Sequence, residues 1–317
     1  MRVVYLDQRQ WIELARLASR PQDFQSLQAL PERLIAEADA GRIVCPLSFA
    51  NIYETHKINI RERRNNLALL QSRLSGGRVL RGRRQRLEME IGLFVDSVFG
   101  HSGRPLDERW FLSDIFFESV ADRTEIGVEA SDRFVQHIRS QPAEALFQYL
   151  TETPEDVRLD AVKRFSNGSD DLRARIEERR RQHADESLAM RRRIYGAILV
   201  IDNIEFILKA AQKAGASWAS VSDIGSGSLR RLVSEVPTYH VERELAVRLE
   251  AQSRPIEEND FRDMQAFCAS VPYCDLVVGE NNFVNMAKQA GFSQRYGTRL
   301  ATQLSELANV LREWELA

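Results

Sequence analysis

N-D-F-R-D-M-Q-A-F-C-A-S-V-P-Y-C-D-L-V-V-G-E-N-N-F, residues 259–283, is the stretch that best predicts both a fold and a site. Apolar residues at helical spacing in its first half predict a helix, and the run 276–278 predicts a buried strand. Four acids border these elements: Asp260, Asp263, Asp275 and Glu280. Carboxylates gathered on one framework repel one another unless a cation neutralises them, so the stretch suggests a divalent metal site.

Two similar apolar runs stand near the start of the chain. R-V-V-Y-L-D, residues 2–7, predicts a short buried strand that ends at Asp7, and R-I-V-C-P-L, residues 42–47, predicts a second. A helical pattern follows each run, and Ser48 is a favourable N-cap for the second helix. Strand, polar turn and helix in alternation are typical of parallel sheets. We therefore expect an α/β fold with a central parallel sheet flanked by helices.

The segment 61–190 interrupts this pattern. Apolar residues recur there at helical spacing, and β-branched alternation is scarce. We therefore expect a large all-helical insertion between two parts of one α/β domain, residues 1–60 and residues 191–317. Within the second part, residues 237–241 (P-T-Y-H-V) are predicted as a short strand.

Basic residues are concentrated at the start of this insertion. Residues 61–86 contain nine arginines and one acid, Glu62. Guanidinium groups pair bidentately with phosphate oxygens, so the segment suggests contacts to a nucleic-acid backbone, with Arg81, Arg83 and Arg84 as candidates. A second arginine cluster, within residues 173–193, is interleaved with acids and is more typical of a solvated helix face.

The bulk composition excludes several classes of protein. The formal net charge is −2 over 317 residues, which argues against a uniformly cationic surface. Three cysteines form no C-x-x-C pair and are expected to be reduced thiols. No apolar run approaches the roughly 20 residues of a membrane helix, and no apolar leader opens the chain. These features predict a cytoplasmic protein without a membrane partner.

Each candidate acid also has a plain structural interpretation. Asp7 could cap the helix that follows it, Asp260 and Asp263 could form a capping box, and Glu54 could be a solvated helix residue. In open α/β sheets, however, ligands bind beyond the carboxyl ends of the strands. There, Asp7, Glu54, Asp263 and Glu280 would converge. Oxygen ligands without cysteine or clustered histidine suit Mg²⁺ or Mn²⁺.

The order of these elements resembles the PIN-domain family of metal-dependent nucleases. In that family the first strand ends in Asp, a following helix carries Glu, a late helix carries a third acid, and a fourth acid follows a late strand. The matching motifs are V-V-Y-L-D for Asp7, P-L-S-F-A-N-I-Y-E for Glu54, N-D-F-R-D for Asp263 and L-V-V-G-E-N-N-F for Glu280. The resemblance covers residues 1–57 and 195–317. Gly279 stands where the family often has Thr or Ser.

The resemblance implies hydrolysis of phosphodiester bonds, with RNA favoured over DNA, by an endoribonuclease that could act as a toxin or defence effector. It implies that Asp7, Glu54, Asp263 and Glu280 bind Mg²⁺ or Mn²⁺. It also implies that three further residues would hold these ligands in position: Ser48, Asp260 and Asn281.

Two other interpretations stay open from the sequence. The chain could keep the fold and bind nucleic acid without cleaving it, or it could be a helical protein-interaction module whose acids only cap helices. The sequence also leaves open whether the chain pairs with itself or with an inhibitory partner protein.

Overall fold

The computed structural model describes residues 1–19, 27–100, 106–120 and 132–316, without the side chains of 164–171 and 316. Within these residues, short apolar runs form six strands and longer amphipathic runs form fifteen helices. The strands are β1 (Arg2–Leu6), β2 (Ile43–Val44), β3 (Val79–Leu80), β4 (Leu112–Ser113), β5 (Leu276–Val278) and β6 (Arg299–Ala301). The helices are α1 (Gln8–Ser19), α2 (Leu30–Asp39), α3 (Phe49–His56), α4 (Arg61–Ser75), α5 (Arg83–Phe99), α6 (Asp132–Ser140), α7 (Pro142–Glu152), α8 (Glu155–Gln182), α9 (Leu188–Lys213), α10 (Val221–Glu235), α11 (Pro237–Glu250), α12 (Glu258–Ser270), α13 (Asn281–Gln289), α14 (Phe292–Tyr296) and α15 (Leu304–Leu316).

Four of the strands form the predicted parallel sheet, in the order β2-β1-β5-β6. β1 is central, with Leu6 opposite Val278 at its carboxyl end. Alternate residues of β1 enter different cores: Tyr5 packs on one side of the sheet, and Leu6 packs on the other. Because helices cover both faces, the strands are apolar apart from the exposed Arg2 and Arg299 at the amino ends of β1 and β6. The α/β prediction is confirmed at this level.

The segment 61–190 is not entirely helical, which corrects the expectation of an all-helical insertion. β3 and β4 pair antiparallel, and the main chain of Leu47 bonds to that of Leu80, at 2.8 Å, so β3 continues beside the chain that leaves β2. Val79 and Leu80 of β3 lie between Arg78 and Arg81, so no longer apolar run indicates a strand there. Residues 101–105 and 121–131 of this segment lie outside the described residues.

The cores run across the predicted segment boundaries. Leu74 of α4 and Leu146 of α7 belong to the core that holds Leu6, and Ile91 of α5 belongs to the core that holds Tyr5. The helices of 61–190 therefore pack directly on the layers that cover the sheet.

The predicted strand at 237–241 is wrong. α11 begins at Pro237, and the proline occupies the first turn of the helix. Proline is favourable there, because its missing N–H would have no partner in the helix and its φ is already helical. The residues that follow it face the core on every side, which hides the helical period.

None of the helices in the described part of the chain combines the length and apolar character that crossing a lipid bilayer requires. Cys45, Cys268 and Cys274 are all buried and unbridged.

Candidate metal site at the carboxyl end of the sheet

Asp7 lies where β1 ends and α1 begins. Its N–H donates to the Val278 carbonyl oxygen at 2.9 Å, and its carbonyl oxygen accepts from Trp11 at 3.0 Å. The Gln8 N–H donates to its carboxylate at 2.7 Å. Burial raises the pKa of Asp7 to about 6, the Gln8 bond acts in the opposite direction, and the nearby Glu54 and Glu280 raise it further.

Glu54 reaches this point from α3. Ser48 caps that helix: its side chain accepts from the Asn51 N–H, and the Asn51 side chain accepts from the Ser48 N–H at 2.9 Å. Burial raises the pKa of Glu54, and Arg262 opposes that shift because its Nε donates to Glu54 Oε1 at 3.2 Å.

Asp263 and Glu280 complete the group from the stretch 259–283. A hydrogen bond joins their side chains. Burial is the largest cause that raises the pKa of Asp263 well above its ordinary range, followed by the charge of Asp7 and the bond to Glu280. These causes favour the protonated form of the Asp263 carboxyl, and the neighbouring Glu280 side chain is exposed.

The four predicted acids thus act on one another although they come from three distant parts of the chain. Asp7 is affected by Glu54 and Glu280, and Asp263 is affected by all three others. Their carboxyl groups therefore lie close enough for their charges to interact, near the carboxyl ends of β1 and β5.

The donor set fits a hard divalent cation, because it consists of carboxylate oxygens. Within the described ranges, no group of three or more His, Cys, Asp or Glu side chains is arranged so that it could hold a metal ion. Asp263 interacts with Glu280, and Glu54 Oε1 accepts a hydrogen bond from Arg262. Binding a cation would require at least the first of these interactions to open.

The three residues predicted to support the ligands have different surroundings. Ser48 is buried and lies 3.1 Å from the Tyr5 hydroxyl, and burial, followed by the charge of Asp7, raises the Tyr5 pKa. Asp260 caps α12 through the Glu257 N–H at 2.8 Å and pairs with Arg254. Asn281 is exposed at the start of α13, next to Glu280.

Arg262 is the main site residue that the sequence did not single out. It is 4% exposed and pairs with Glu54 and with Glu258, and its guanidinium lies 5.3 Å from the Tyr53 ring centroid. Its position beside Asp263 was the only available signal, and an arginine next to an acid is common in any helix.

A second unpredicted feature is a closed ring of amide and hydroxyl groups behind Asp7. Gln8 Nε2 donates to Thr55 Oγ1 at 3.0 Å, Thr55 Oγ1 donates to Gln71 Oε1 at 3.0 Å, and Gln71 Nε2 donates back to Gln8 Oε1 at 3.4 Å. All three side chains are buried. The ring ties α1, α3 and α4 together directly behind the acids.

The predicted nucleic-acid-binding arginines are engaged with other parts of the chain. Arg81 pairs with Glu118, Arg83 pairs with Glu242 at 2.9 Å, and the Arg84 guanidinium lies 5.1 Å from the Phe206 ring centroid. The carboxylate partners of Arg81 and Arg83 thus come from outside residues 61–86. Contact of these arginines with nucleic acid stays a prediction.

No model of a known protein family, no curated protein and no solved structure matches this chain.

Proposed function

We propose that the chain is a divalent-metal-dependent nuclease that hydrolyses phosphodiester bonds, with RNA as the favoured substrate. One observation carries the proposal: at the carboxyl end of a parallel sheet, the charges of neighbouring acids contribute to raising the pKa of Asp7 and of Asp263. Several carboxylates together are unfavourable without a cation, and a divalent cation would relieve them. The preference for RNA rests on the resemblance of these motifs to PIN-domain nucleases.

The proposed roles follow from the position of each side chain. Asp7 and Asp263 hold the metal most directly, because burial raises the pKa of both carboxyl groups and a bound cation would stabilise their charged forms. Glu54 is oriented by Arg262, and Glu280 closes the exposed edge. A bound Mg²⁺ or Mn²⁺ supplies an activated water and stabilises charge that develops on the phosphate.

Two cations at the rim suit a polyanionic substrate. Arg9 is exposed on α1 and lowers the pKa of Asp7, and Lys57 is exposed after α3 and lowers that of Glu54. Exposed cations beside an acidic centre can pair with the phosphates that flank the bond to be cleaved. These contacts hold the backbone and do not read its sequence.

The direct test is cleavage of end-labelled single-stranded RNA and DNA of the same sequence, with Mn²⁺ or with EDTA. We expect RNA cleavage with Mn²⁺ only, and a loss of at least a hundredfold in Asp7→Asn and Asp263→Asn. Glu62→Gln, which removes an exposed acid of α4, is the control and should retain full activity.

Cleavage that persists in both site variants would refute the site. Salt-sensitive binding without cleavage would instead favour a nucleic-acid-binding protein without nuclease activity, and the absence of binding would favour a protein-interaction module.

A further inference from the structure

A cavity of about 370 Å³ lies beside the acidic site, between the start of α3, the start of α5 and α12. Arg81, Arg83 and Arg86 reach its wall, together with a single carboxylate, Glu242. A volume of this size is within the range of small-molecule sites in proteins.

Arg86 is the residue that makes this cavity unusual. It is 3% exposed, and Nη1 donates to the carbonyl oxygen of Arg81. Nε is buried and has no hydrogen-bond partner among the described residues. Glu90 attracts Arg86, but its carboxylate is already bonded to Thr238 Oγ1 at 2.7 Å and to the Tyr273 hydroxyl.

A buried guanidinium with incomplete hydrogen bonding is unfavourable unless an anion completes its surroundings. Burial lowers the pKa of Arg86, which is the direction expected for a charge that is not fully compensated. An anion that entered the cavity would relieve this.

The other two arginines can contribute to the same anion. Arg81 and Arg83 are each paired with one glutamate, yet their side chains remain 31% and 40% exposed. Each of the three guanidinium groups has one carboxylate nearby, Glu118, Glu242 or Glu90, so the wall offers N–H donors and no large excess of charge. A tetrahedral dianion offers more acceptor oxygens to such a set than a planar carboxylate does.

Much of the remaining wall is apolar and would accept an uncharged ring, although Ser48, Ser119 and Gln265 also line the cavity. Phe49, Leu80 and Met264 line it, and the buried Ala269 leaves space beside them. A phosphate alone would leave this part of the cavity unfilled.

We propose that the cavity binds a nucleoside monophosphate group, with the phosphate against Arg86 and the nucleoside against the apolar wall. The group could come from a free mononucleotide or from the phosphorylated end of a nucleic acid, since both present the same chemistry. Because α3 carries Glu54 and α12 carries Asp263, the ligand would contact the two helices that supply acids to the candidate metal site.

The test is isothermal titration calorimetry of the full chain in EDTA, so that the result does not depend on metal or on nuclease activity. The probes are AMP, adenosine, inorganic phosphate, benzoate, and one RNA dodecamer with a 5′-phosphate or a 5′-hydroxyl. We expect AMP to bind at least tenfold more tightly than adenosine, phosphate or benzoate. Preference for AMP over the phosphorylated dodecamer would identify the free nucleotide, and the reverse would identify the nucleic-acid end.

Variants connect the binding to the cavity. Arg86→Met should weaken AMP binding at least tenfold, and Ala269→Leu, which keeps every arginine and fills the space, should weaken it to a similar degree. Arg230→Met, an exposed arginine of α10, is the matched control and should bind within twofold of wild type. The proposal is overturned if no phosphate-bearing probe binds at millimolar concentration, or if Arg86→Met and Ala269→Leu both bind AMP as wild type does.

Discussion

Asp263 is held in its uncharged form by the folded chain. Burial, the charge of Asp7 and the hydrogen bond to Glu280 all raise its pKa. Part of the free energy of folding is therefore offset at neutral pH, since an ordinary aspartate would be ionised in the unfolded chain. Destabilisation of this kind is common at catalytic groups.

Asp263→Asn should therefore stabilise the protein while abolishing cleavage. The amide keeps the shape and can donate to Glu280, but it has no charge to suppress. In EDTA at pH 7.5, we expect a higher thermal midpoint than wild type by differential scanning calorimetry. Glu62→Gln should leave the midpoint unchanged, and a lower midpoint for Asp263→Asn would show that the carboxyl is structurally required.

Asp7 predicts the pH dependence of stability in the absence of metal. Its pKa rises from 3.8 to about 6 on folding, so the folded chain binds more protons between these values. The stabilising effect of that proton is complete below pH 3.8 and is lost as the pH rises through 6. The midpoint of wild type should fall relative to that of Asp7→Asn over pH 4 to 7 in EDTA. A constant difference over that range would contradict the shift.

The ion pair between Arg262 and Glu54 could not be predicted from the sequence. Nothing about an arginine between Phe261 and Asp263 indicates that Glu54, more than 200 positions earlier, will accept from it. Pairing of that kind is set by the fold, and the acids were predictable only because strand ends position them.

At the scale of elements, Gly279 explains why the end of β5 departs from the expected hydroxyl residue. A Cβ atom added there would lie 2.8 Å from Cζ of Phe267. Phe267 belongs to α12 and is 2% exposed. The absence of a side chain at Gly279 thus lets α12, and Asp263 with it, pack closely on the end of the sheet.

Gly279→Ala should destabilise the protein by about 1–3 kcal/mol, the usual range for overpacking a core. Urea unfolding measures this directly. Phe267→Leu should itself destabilise, but in its presence the effect of Gly279→Ala should shrink by at least half. Additive effects of the two substitutions would mean that the ring and position 279 are not in contact.

The strands and caps were predictable because short apolar runs and Ser48 carry local signals. β1, β2 and β5 fall within the runs named from the sequence, and Ser48 caps α3 as expected. The helix at Pro237 was missed because it is buried on nearly every side, which hides the helical period. β3 was missed because its two residues lie between Arg78 and Arg81, whereas β2 lies within a longer apolar run. A buried strand is therefore recognisable when its apolar run is long enough, and a helix is recognisable when one of its faces meets water.

At the scale of the molecule, the segment 61–190 and the sheet share their cores. Leu74 of α4 lies in the same cluster as Leu6 and Leu276. The arginine-rich composition of this segment suggested contacts to a nucleic-acid backbone, which stay a prediction. Arg83 pairs with Glu242, 159 positions later. Such long-range pairing has no local signal, so the sequence alone does not predict which carboxylates accompany these arginines.

Leu74→Ala should lower the stability of the whole chain by about 2–5 kcal/mol in one transition. Leu69→Ala on the same helix is the matched control, because Leu69 is 61% exposed and Leu74 is 1% exposed. Far-ultraviolet circular dichroism and tryptophan fluorescence should give one common urea midpoint. Two separate midpoints would show that 61–190 folds independently.

The hydrogen bond between Asp263 and Glu280 has a consequence for the heat of metal binding. A cation that takes both carboxylates must first expel the proton between them, so metal uptake releases acid into the solution. Titrations of Mn²⁺ at one pH in PIPES and in TES, which bind the cation weakly and differ in ionisation enthalpy, should then give different apparent heats but the same affinity. The slope of the apparent binding heat against the ionisation enthalpy of the buffer would give the number of protons released for each Mn²⁺ bound.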